Sequence, residues 1–295
     1  MKKIIIITGL TGSGKSSIAL DLARKYNGEI ISADSVQVYK HLNIGSAKDT
    51  EAMKIVPHHV IDFLDPKMKY NVGEFIADTK VALDSILVKG KLPIIVGGTA
   101  MYIKALIEGY SLGDKADLEF RQKYNDLAKE KGNMFVWEEL NKLNPDKAKT
   151  VHPNNLKRVI RYLELEKCGA VADIEPSILT GYDVLTIGVV ANREDIYARI
   201  NSRVDEMLAD GLESEVRHLV DLGVTREDQC VNSIGYKEWF DYFEGKTDYE
   251  TTVNLIKQHT RNYCKRQLTF LKTMKSVEML TKTEAKKRIE EFLND

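Results

Sequence analysis

The chain has 295 residues, and 43% of them are hydrophobic, which is enough for one large domain or for a core with a smaller insert. Its formal net charge is −1, so overall charge neither favours nor excludes a nucleic-acid partner. The longest aliphatic run near the start, Ile4–Ile7, is too short for a signal-peptide core or a membrane-spanning helix. The three cysteines, Cys168, Cys230 and Cys264, form no Cys-x-x-Cys pair, which excludes a zinc or disulfide framework. We therefore expect a cytoplasmic protein with reduced thiols and no membrane partner.

Apolar strands separated by a helical pattern occupy the first third of the chain. Ile4–Thr8 is a continuous apolar run, and Ser16–Tyr26 has the spacing of a helix. Two further apolar runs, Glu29–Asp34 and Leu92–Thr99, have the length of strands. Strands that are apolar along their whole length are typical of parallel sheets with helices on both faces. The sequence therefore predicts an α/β fold with a parallel sheet core.

The pattern changes between about residues 114 and 180. Strand signals vanish, charges dominate, and Phe120–Lys131 and Asn154–Glu166 both have helical spacing, with Asn154 as a candidate cap. Tyr182–Val190 then returns as an apolar strand. The sheet core is therefore predicted to be interrupted by a helical insert.

The rest of the chain has helical spacing. The predicted helices are Arg193–Leu208, Leu212–Leu222, Tyr236–Phe243 and Tyr249–Met274. We therefore assign residues 1–113 and 181–295 to one α/β core with C-terminal helices, and residues 114–180 to the insert.

The first apolar strand leads directly into a phosphate-binding loop. The pattern Gly-x-x-x-x-Gly-Lys-Ser lies between a strand and a helix, which is the context that this motif requires. Backbone N–H groups of such a loop turn inward around phosphate oxygens, the lysine supplies a mobile cation, and the serine hydroxyl can ligate Mg²⁺. The residues are Gly9, Leu10, Thr11, Gly12, Ser13, Gly14, Lys15 and Ser16. The fold is accordingly expected to be similar to that of the phosphate-loop nucleoside-triphosphatases.

The loop predicts a phosphate but not a reaction. Phosphate-loop enzymes that hydrolyse nucleotides place an acid after a second apolar strand, whereas here Leu92–Thr99 ends in Gly-Gly-Thr. Asp34 ends another strand and should open onto the same crevice as the loop. From the residues alone, Asp34 could be a metal ligand, a general base or a helix cap.

A basic stretch lies near the C-terminus. Between Lys257 and Lys275 the chain has six Lys or Arg residues and no Asp or Glu. Such a stretch is either a solvated helix face or a surface for nucleic acid.

Six ordered segments together resemble one family, the bacterial tRNA dimethylallyltransferases, which are also called tRNA isopentenyltransferases. The resemblance runs from about residue 4 to residue 275, and its specificity comes from the order and spacing of the segments. They are Gly9–Ser16, Asp34–Tyr39 with Ile44–Lys48, Pro57–Asp62, Val96–Tyr102, Ile234–Glu238 and Thr260–Thr269.

The resemblance implies transfer of a dimethylallyl group from dimethylallyl diphosphate to the exocyclic amine of the adenosine 3′ of the tRNA anticodon. The phosphate loop would hold the diphosphate, with Lys15 and Ser16-bound Mg²⁺ stabilising its developing charge. Asp34 would be the general base, and Thr99 would hydrogen-bond the target adenine. The pocket for that adenine would be lined by Asp34, Ser35, Val36 and Gln37.

The resemblance also implies contacts to the anticodon stem-loop. The expected contact residues on the insert are Arg121, Lys157, Arg158, Val159, Ile160 and Arg161, and on the last long helix they are Arg261 and Lys265. Tyr263 and Phe270 could stack on bases, but as helical aromatics they are expected in the core. His58 and His59 are expected in a structural turn. Glu74, Arg193, Arg199, Arg203 and Asn232 receive no role. We expect a monomer.

Three other functions are compatible with parts of the pattern. An adenylate isopentenyltransferase would act on free AMP or ATP, although a free nucleotide needs no helical insert to bind a stem-loop. A small-molecule kinase of the phosphate-loop class, or a nucleotide-regulated RNA-binding protein without catalysis, would bind ATP tightly.

Overall fold

The computed structural model describes residues 2–109, 117–167 and 176–295. The chain forms two compact units, one comprising Met1–Glu108 with Ser177–Asp295 and the other comprising Gly109–Pro176. Cys168 and the expected insert boundary at residue 114 lie outside the described residues. No helix in the described ranges combines the length and apolar character needed to cross a membrane.

The first unit is built on one sheet of six parallel strands. Its spatial order is β3-β2-β4-β1-β5-β6, so the strand before the phosphate loop lies between β4 and β5. The strands are β1 (Lys3–Gly9), β2 (Gly28–Ser32), β3 (His58–His59), β4 (Leu92–Val96), β5 (Asp183–Val189) and β6 (Glu278–Leu280). This arrangement confirms the predicted α/β class and the parallel sheet.

Helices cover both faces of the sheet because successive side chains of β1 point to opposite sides. Ile4 and Ile6 belong to the larger core cluster, whereas Ile5 and Ile7 pack with Ile18 and other residues of the smaller one. With helices numbered along the whole chain, those of the first unit are α1 (Lys15–Lys25), α2 (Thr50–Ile55), α3 (Val72–Val88), α4 (Ala100–Glu108), α9 (Arg193–Ala209), α10 (Leu212–Asp221), α11 (Lys237–Phe243), α12 (Tyr249–Leu271) and α13 (Lys282–Asn294).

Two of the predicted strands end earlier than expected. β2 ends at Ser32 and β4 ends at Val96, so Asp34 and the segment Gly97–Thr99 are loops at the carboxyl edge of the sheet. The side chains that follow neighbouring strands are thereby free to converge. Glu74, to which the sequence assigned no role, completes a capping box with Asn71 at the start of α3.

The second unit is a set of helices with its own core. Its buried residues include Tyr124, Val136, Leu140 and Leu163. The predicted helix Asn154–Glu166 begins two residues later than expected, so Asn154 is not its cap. The helices are α5 (Leu118–Lys131), α6 (Asn133–Leu143), α7 (Pro145–Lys149) and α8 (Leu156–Lys167).

Candidate active site

The phosphate loop joins β1 to α1 and takes a conformation that glycine permits. Gly14 has φ +85° and is the N-cap of α1 without a side-chain cap, so the first amides of this helix stay available to a ligand. A Cβ atom at Gly9, where φ is +143°, would lie 2.4 Å from the Val189 carbonyl oxygen. Ser13 has a buried hydroxyl without a hydrogen-bond partner in the described structure. An anion inside the loop would supply that missing partner.

A glutamine from α12 braces the loop against the end of β4. Gln267 accepts a hydrogen bond from the Thr11 amide at 2.9 Å and donates one to the Gly98 carbonyl at 2.9 Å. Tyr263, one turn earlier on α12, donates its hydroxyl to the same carbonyl at 3.2 Å. Three segments that are far apart in sequence are therefore fixed together at the loop.

Lys15 and Arg203 supply positive charge beside the loop. Burial, followed by the charge of Arg203, lowers the pKa of Lys15 to about 8, and the charge of Asp34 only partly offsets this. Burial also lowers the pKa of Arg203, again against the opposing effect of Asp34. In the described structure neither cation has a carboxylate within ion-pair distance. Both are therefore available to an anionic ligand.

Asp34 lies in the turn that follows β2. Its Oδ1 accepts hydrogen bonds from the Val36 amide at 2.9 Å and the Gln37 amide at 3.3 Å. These bonds fix the carboxylate and leave Oδ2 without a hydrogen-bond partner among the described residues. The carboxylate therefore has one oxygen with which to accept a proton.

Thr99 lies after β4 and faces the same turn. The Ser35 amide donates to Thr99 Oγ1 at 3.0 Å, and the Thr99 hydroxyl lies 3.4 Å from Ser35 Oγ. The pairing of β2 with β4, with Ser32 opposite Val96, brings the two segments together. Thr99 also directly precedes α4, but its side chain is engaged with Ser35.

A cavity of about 380 Å³ joins these groups. It is lined by the loop residues Thr11, Lys15 and Ser16, the turn Asp34–Gln37, the segment Gly45–Ala47, Val96, Gly97, Thr99, Ile200, Arg203, Val204, Met207, the segment Asn232–Gly235, Lys237, Ile256, Thr260, Tyr263 and Arg266. A second cavity, of about 430 Å³, shares Lys15, Ser16, Gln37, Ala47, Val96 and Arg203 with the first. Lys15 and Asp34 thus border one cavity, and both cavities reach the phosphate loop.

The two histidines do not form a metal site. His59 Nε2 lies 2.7 Å from a carboxylate oxygen of buried Glu29, and His58 Nδ1 lies 2.7 Å from the Val56 carbonyl. They form the short strand β3 and not the expected turn. No group of three or more His, Cys, Asp or Glu side chains suited to a metal exists among the described residues. A metal at the phosphate loop would depend on Ser16 and on ligand oxygens.

Several expected RNA contacts of the second unit are engaged internally. Arg121 donates to both carboxylate oxygens of buried Glu164, and Arg161 donates to Oε2 of the same residue at 2.6 Å. Val159 and Ile160 are buried in the core of the unit. Their predicted contact with RNA is wrong for the side chains, because these offer no surface. Lys157 and Arg158 are exposed, and the Arg158 guanidinium lies over the Tyr162 ring.

On α12, Arg261 donates to Asn201 Oδ1 at 2.7 Å, whereas Lys265 is exposed. Tyr263 borders the first cavity, so the expectation that it is a core residue is wrong. Burial, followed by the charge of Asp34, raises the pKa of Tyr263 to about 12. It therefore remains a neutral hydroxyl.

Arg203 is one of the cavity residues to which sequence reasoning assigned no role. A signal for it was present, because Ile196, Ile200, Arg203 and Met207 follow helical spacing and place a charge on the buried face of α9. Gln267 was also missed, although it lies within the segment Thr260–Thr269 on which the family resemblance rests.

The glycine-rich loop lies between a central parallel strand and a helix, and it has a half-buried lysine and a second cation beside it. These features define a phosphate-binding α/β protein of the phosphate-loop class. Comparison with known proteins narrows this class. The sequence model of the family described as IPP transferase matches residues 37–274, and that described as Isopentenyl transferase matches residues 2–56. The chain therefore belongs to the IPP transferase family, which confirms the resemblance recognised from the six segments.

Relatives match over nearly the whole chain. The tRNA dimethylallyltransferase of Geobacillus thermodenitrificans is 41% identical over 97% of this chain and 92% of its own length. The crystal structure of the full-length tRNA isopentenylpyrophosphate transferase of Bacillus halodurans is 36% identical, with a TM-score of 0.74, over 100% of this chain and 96% of its own. A eukaryotic dimethylallyltransferase described as acting on tRNA is 29% identical, with a TM-score of 0.79, over 96% of this chain and 75% of its own.

Proposed function

We propose that this chain transfers the dimethylallyl group of dimethylallyl diphosphate to the exocyclic amine of an adenosine in the tRNA anticodon loop, 3′ of the anticodon, and releases diphosphate. The observation that carries this proposal is the single cavity bordered by Lys15, Asp34 and Thr99. The names of the relatives at about 40% identity support the same reaction.

The diphosphate would lie in the phosphate loop. The free amides at the start of α1 and the unpartnered Ser13 hydroxyl suit phosphate oxygens. Lys15 and Arg203 would bind the same anion, since neither forms an ion pair with a carboxylate among the described residues. As the carbon–oxygen bond to the allyl group breaks, negative charge grows on the diphosphate, and fixed cations in a partly desolvated cavity stabilise it.

Oxygen donors at the loop also fit Mg²⁺. The Ser16 hydroxyl borders both cavities, and Mg²⁺ prefers oxygen ligands, few of them from protein and the rest from phosphates and water. Ser16 would therefore hold the ion together with the diphosphate. When bound, the ion supplies further charge to the leaving group.

Asp34 would accept the proton from the attacking amine. Its Oδ1 is fixed by two amides, so Oδ2 is presented in a defined direction. An aromatic amine is a weak nucleophile, so a positioned base is worth about 10²–10⁴ in rate. Thr99 and Ser35, which contact each other on the same side of the cavity, would hydrogen-bond the edge of the adenine.

The adenine has to leave its stack to enter such a cavity. The second cavity also borders Lys15 and Ser16 but not Asp34 or Thr99, so we propose that the diphosphate substrate enters through it while the adenine enters the first cavity. Lys157, Arg158 and Lys265 are exposed cations that we propose contact the RNA backbone. Arg161 and Arg261 lie on the same helices as these cations, α8 and α12, whereas Arg121 of α5 joins Arg161 at Glu164.

The test is direct transfer of a labelled group. The protein is incubated with labelled dimethylallyl diphosphate, Mg²⁺ and unmodified tRNA, and the RNA is digested to locate the label. We expect label on one adenosine of the anticodon loop, and none in parallel reactions with AMP or ATP as acceptor. Absence of label from the tRNA would overturn the proposal. Label on AMP alone would indicate an adenylate isopentenyltransferase, and tighter binding of ATP than of dimethylallyl diphosphate would indicate a kinase.

A further inference from the structure

One wall of the first cavity is a loop, residues 43–47, that is held by side chains far away in sequence. Gly45, Ser46 and Ala47 border the cavity. Gln37, which borders both cavities, donates its amide group to the carbonyls of Ser46 and Ala47 at 3.1 and 3.2 Å. The position of Gln37 therefore depends on the position of the 43–47 loop.

Glu215 of α10 binds this loop through its backbone. Oε2 accepts hydrogen bonds from the amides of Asn43 at 2.8 Å and Ile44 at 2.7 Å. Oε1 accepts from the amide of Gly45 at 3.1 Å and from the hydroxyl of Tyr236 at 2.7 Å. One carboxylate thus receives three consecutive amides and a hydroxyl, and hydrogen bonds to a charged acceptor are the stronger kind.

Tyr236 connects the carboxylate to the next residue of the loop. Its hydroxyl donates to Glu215 and accepts from the Ser46 amide at 3.1 Å. Burial, followed by the charge of Glu215, raises the pKa of Tyr236 well above its usual value, so this hydroxyl remains a donor. A Cβ atom at Gly45 would lie 2.6 Å from the Tyr236 ring, so loop and ring are in close contact.

The loop does not keep this shape through backbone preference alone. Ala47 has φ +52°, a left-handed conformation that costs energy for a residue other than glycine. The surrounding hydrogen bonds compensate for this strain. Glu215 makes its hydrogen bonds to residues 43–45 and Tyr236 and none to the phosphate loop, so its direct effect is on the wall of the cavity formed by the 43–47 loop and Gln37, beside Asp34.

We propose that Glu215 is a positioning residue for the adenine side of the active site: its carboxylate fixes the 43–47 loop and, through the loop carbonyls, the amide of Gln37. This inference rests on the proposed function, because it assigns that wall of the cavity to the adenine. It predicts a defect in the use of tRNA with little change in the binding of dimethylallyl diphosphate.

The experiment compares Glu215→Gln with Glu213→Gln in the full chain. Glutamine keeps one carbonyl acceptor and replaces the other oxygen by a donor, so two of the four bonds to Glu215 are lost. Glu213, two residues earlier on the same helix, pairs with exposed Arg217 and is the matched control. For Glu215→Gln we expect kcat/KM for tRNA to fall about tenfold, in line with the loss of charged hydrogen bonds. The Kd for dimethylallyl diphosphate should stay within about twofold, and Glu213→Gln should match the wild type.

The outcomes separate this inference from the proposed function. If the wild type labels tRNA and Glu215→Gln is as active as Glu213→Gln, Glu215 has no positioning role. An equal loss of tRNA use and diphosphate binding would also overturn the inference, because it would indicate general damage to the site. No transfer by the wild type would instead reject the proposed function.

Tyr236→Phe gives a second, milder variant in case Glu215→Gln does not fold. It removes only the hydroxyl between Glu215 and Ser46, and we expect a fall of about threefold in kcat/KM for tRNA, because the three amide bonds to Glu215 remain. Unchanged kcat/KM in a folded Tyr236→Phe, as judged by its melting temperature, would contradict the coupling.

Discussion

Each unit of the chain contains a carboxylate near two cationic side chains. The two groups of residues differ in whether the carboxylate forms ion pairs with the cations. In the cavity, Asp34 influences Lys15 and Arg203 at a distance, with no ion pair among these described residues. In the insert, Glu164 accepts charged hydrogen bonds from Arg121 and Arg161, at 2.7 and 2.6 Å in the shortest cases. The first set has charges available for a ligand, and the second set has satisfied them within the protein.

The two carboxylates, Glu164 and Asp34, differ in the hydrogen bonds that they accept. Burial alone would raise the pKa of Glu164, but the hydrogen bonds from Arg121 and Arg161 outweigh it and hold the pKa below its usual value. Breaking such a buried pair is costly because it leaves unpaired charge. Asp34 has its bonds only to backbone amides, so its loss should affect chemistry and not stability.

The largest effect is expected for Asp34→Asn. Asparagine keeps an oxygen that can accept from the amides of Val36 and Gln37, but it cannot take a proton. Turnover should fall by about 10²–10⁴, while the free energy of unfolding changes by less than about 1 kcal/mol. Single-turnover transfer and urea denaturation measure the two quantities. Full activity would remove Asp34 as the base.

For Glu164→Ala we expect the reverse of Asp34→Asn, with the main loss in stability and not in turnover. It leaves Arg121, Arg161 and the Asp117 amide without their acceptor. Because the two arginines are partly exposed, we expect about 2–3 kcal/mol of destabilisation, somewhat below the range for fully buried pairs.

The insert can be followed by its own fluorophore. The chain has 2 tryptophans, of which Trp137 lies in the insert core and Trp239 lies in the first unit. A Trp239→Phe background therefore reports on the insert during urea unfolding. Glu139→Ala, which removes an exposed pair with Lys142, is the control and should cost less than about 0.5 kcal/mol. Equal losses in both variants would show that the ion pairs of buried Glu164 contribute no more to stability than an exposed pair does.

Arg203→Met tests one of the two cations that border the cavity beside the phosphate loop. It removes a charge that the described structure leaves without an ion pair, so stability should change little. We expect the Kd for dimethylallyl diphosphate to rise about 10–100-fold, as for the loss of a charged contact. Calorimetric titration measures it, and an unchanged Kd would exclude Arg203 from the diphosphate site.

The fold was predicted where the sequence pattern is local and long. The core strands, the parallel class and most helices were recognised because apolar runs and helical spacing are properties of neighbouring residues. Strands β3 and β6 have two and three residues, which is too short for any periodic signal. Helices α3 and α13 were not predicted although capping boxes mark both, at Asn71 with Glu74 and at Thr281 with Glu284. Those two could have been found.

The residues of the site could likewise be predicted where the sequence signal is local and not where it depends on tertiary packing. The phosphate loop is continuous in sequence, and Asp34 and Thr99 follow apolar strands, so their convergence at one sheet edge could be predicted. Gln267, which lies 256 residues from Thr11, reaches the loop only through the packing of α12. At Val159 and Ile160 a contact was predicted that the side chains do not make available. All residues from 157 to 161 were expected to contact RNA, although helical spacing buries these two.

The Kd for dimethylallyl diphosphate should depend on pH, because Lys15 borders the cavity. Lys15 has a pKa of about 8, so it is protonated below that value and loses its charge above it. A bound diphosphate favours the protonated form, and the Kd should therefore rise by up to about tenfold per pH unit above about pH 8. Calorimetry in buffers of different ionisation enthalpy should show proton uptake on binding near pH 9. A flat Kd up to pH 9.5, or no uptake, would show that Lys15 does not bind the diphosphate.

The smallest effect is expected on the surface of the insert. Lys157 is exposed and has no ion pair with a described residue, whereas Lys129 is exposed and lies 3.2 Å from Asp126. A lysine that contacts phosphate releases a counterion, so Lys157→Ala should reduce the slope of log Kd against log salt concentration by about 0.7–0.9, with little change in kcat. Lys129→Ala removes the same charge from the same unit and should leave the slope unchanged. If both variants shift the slope equally, general charge and not a free lysine decides RNA binding there, and the contrast between paired and unpaired cations would not extend to the surface.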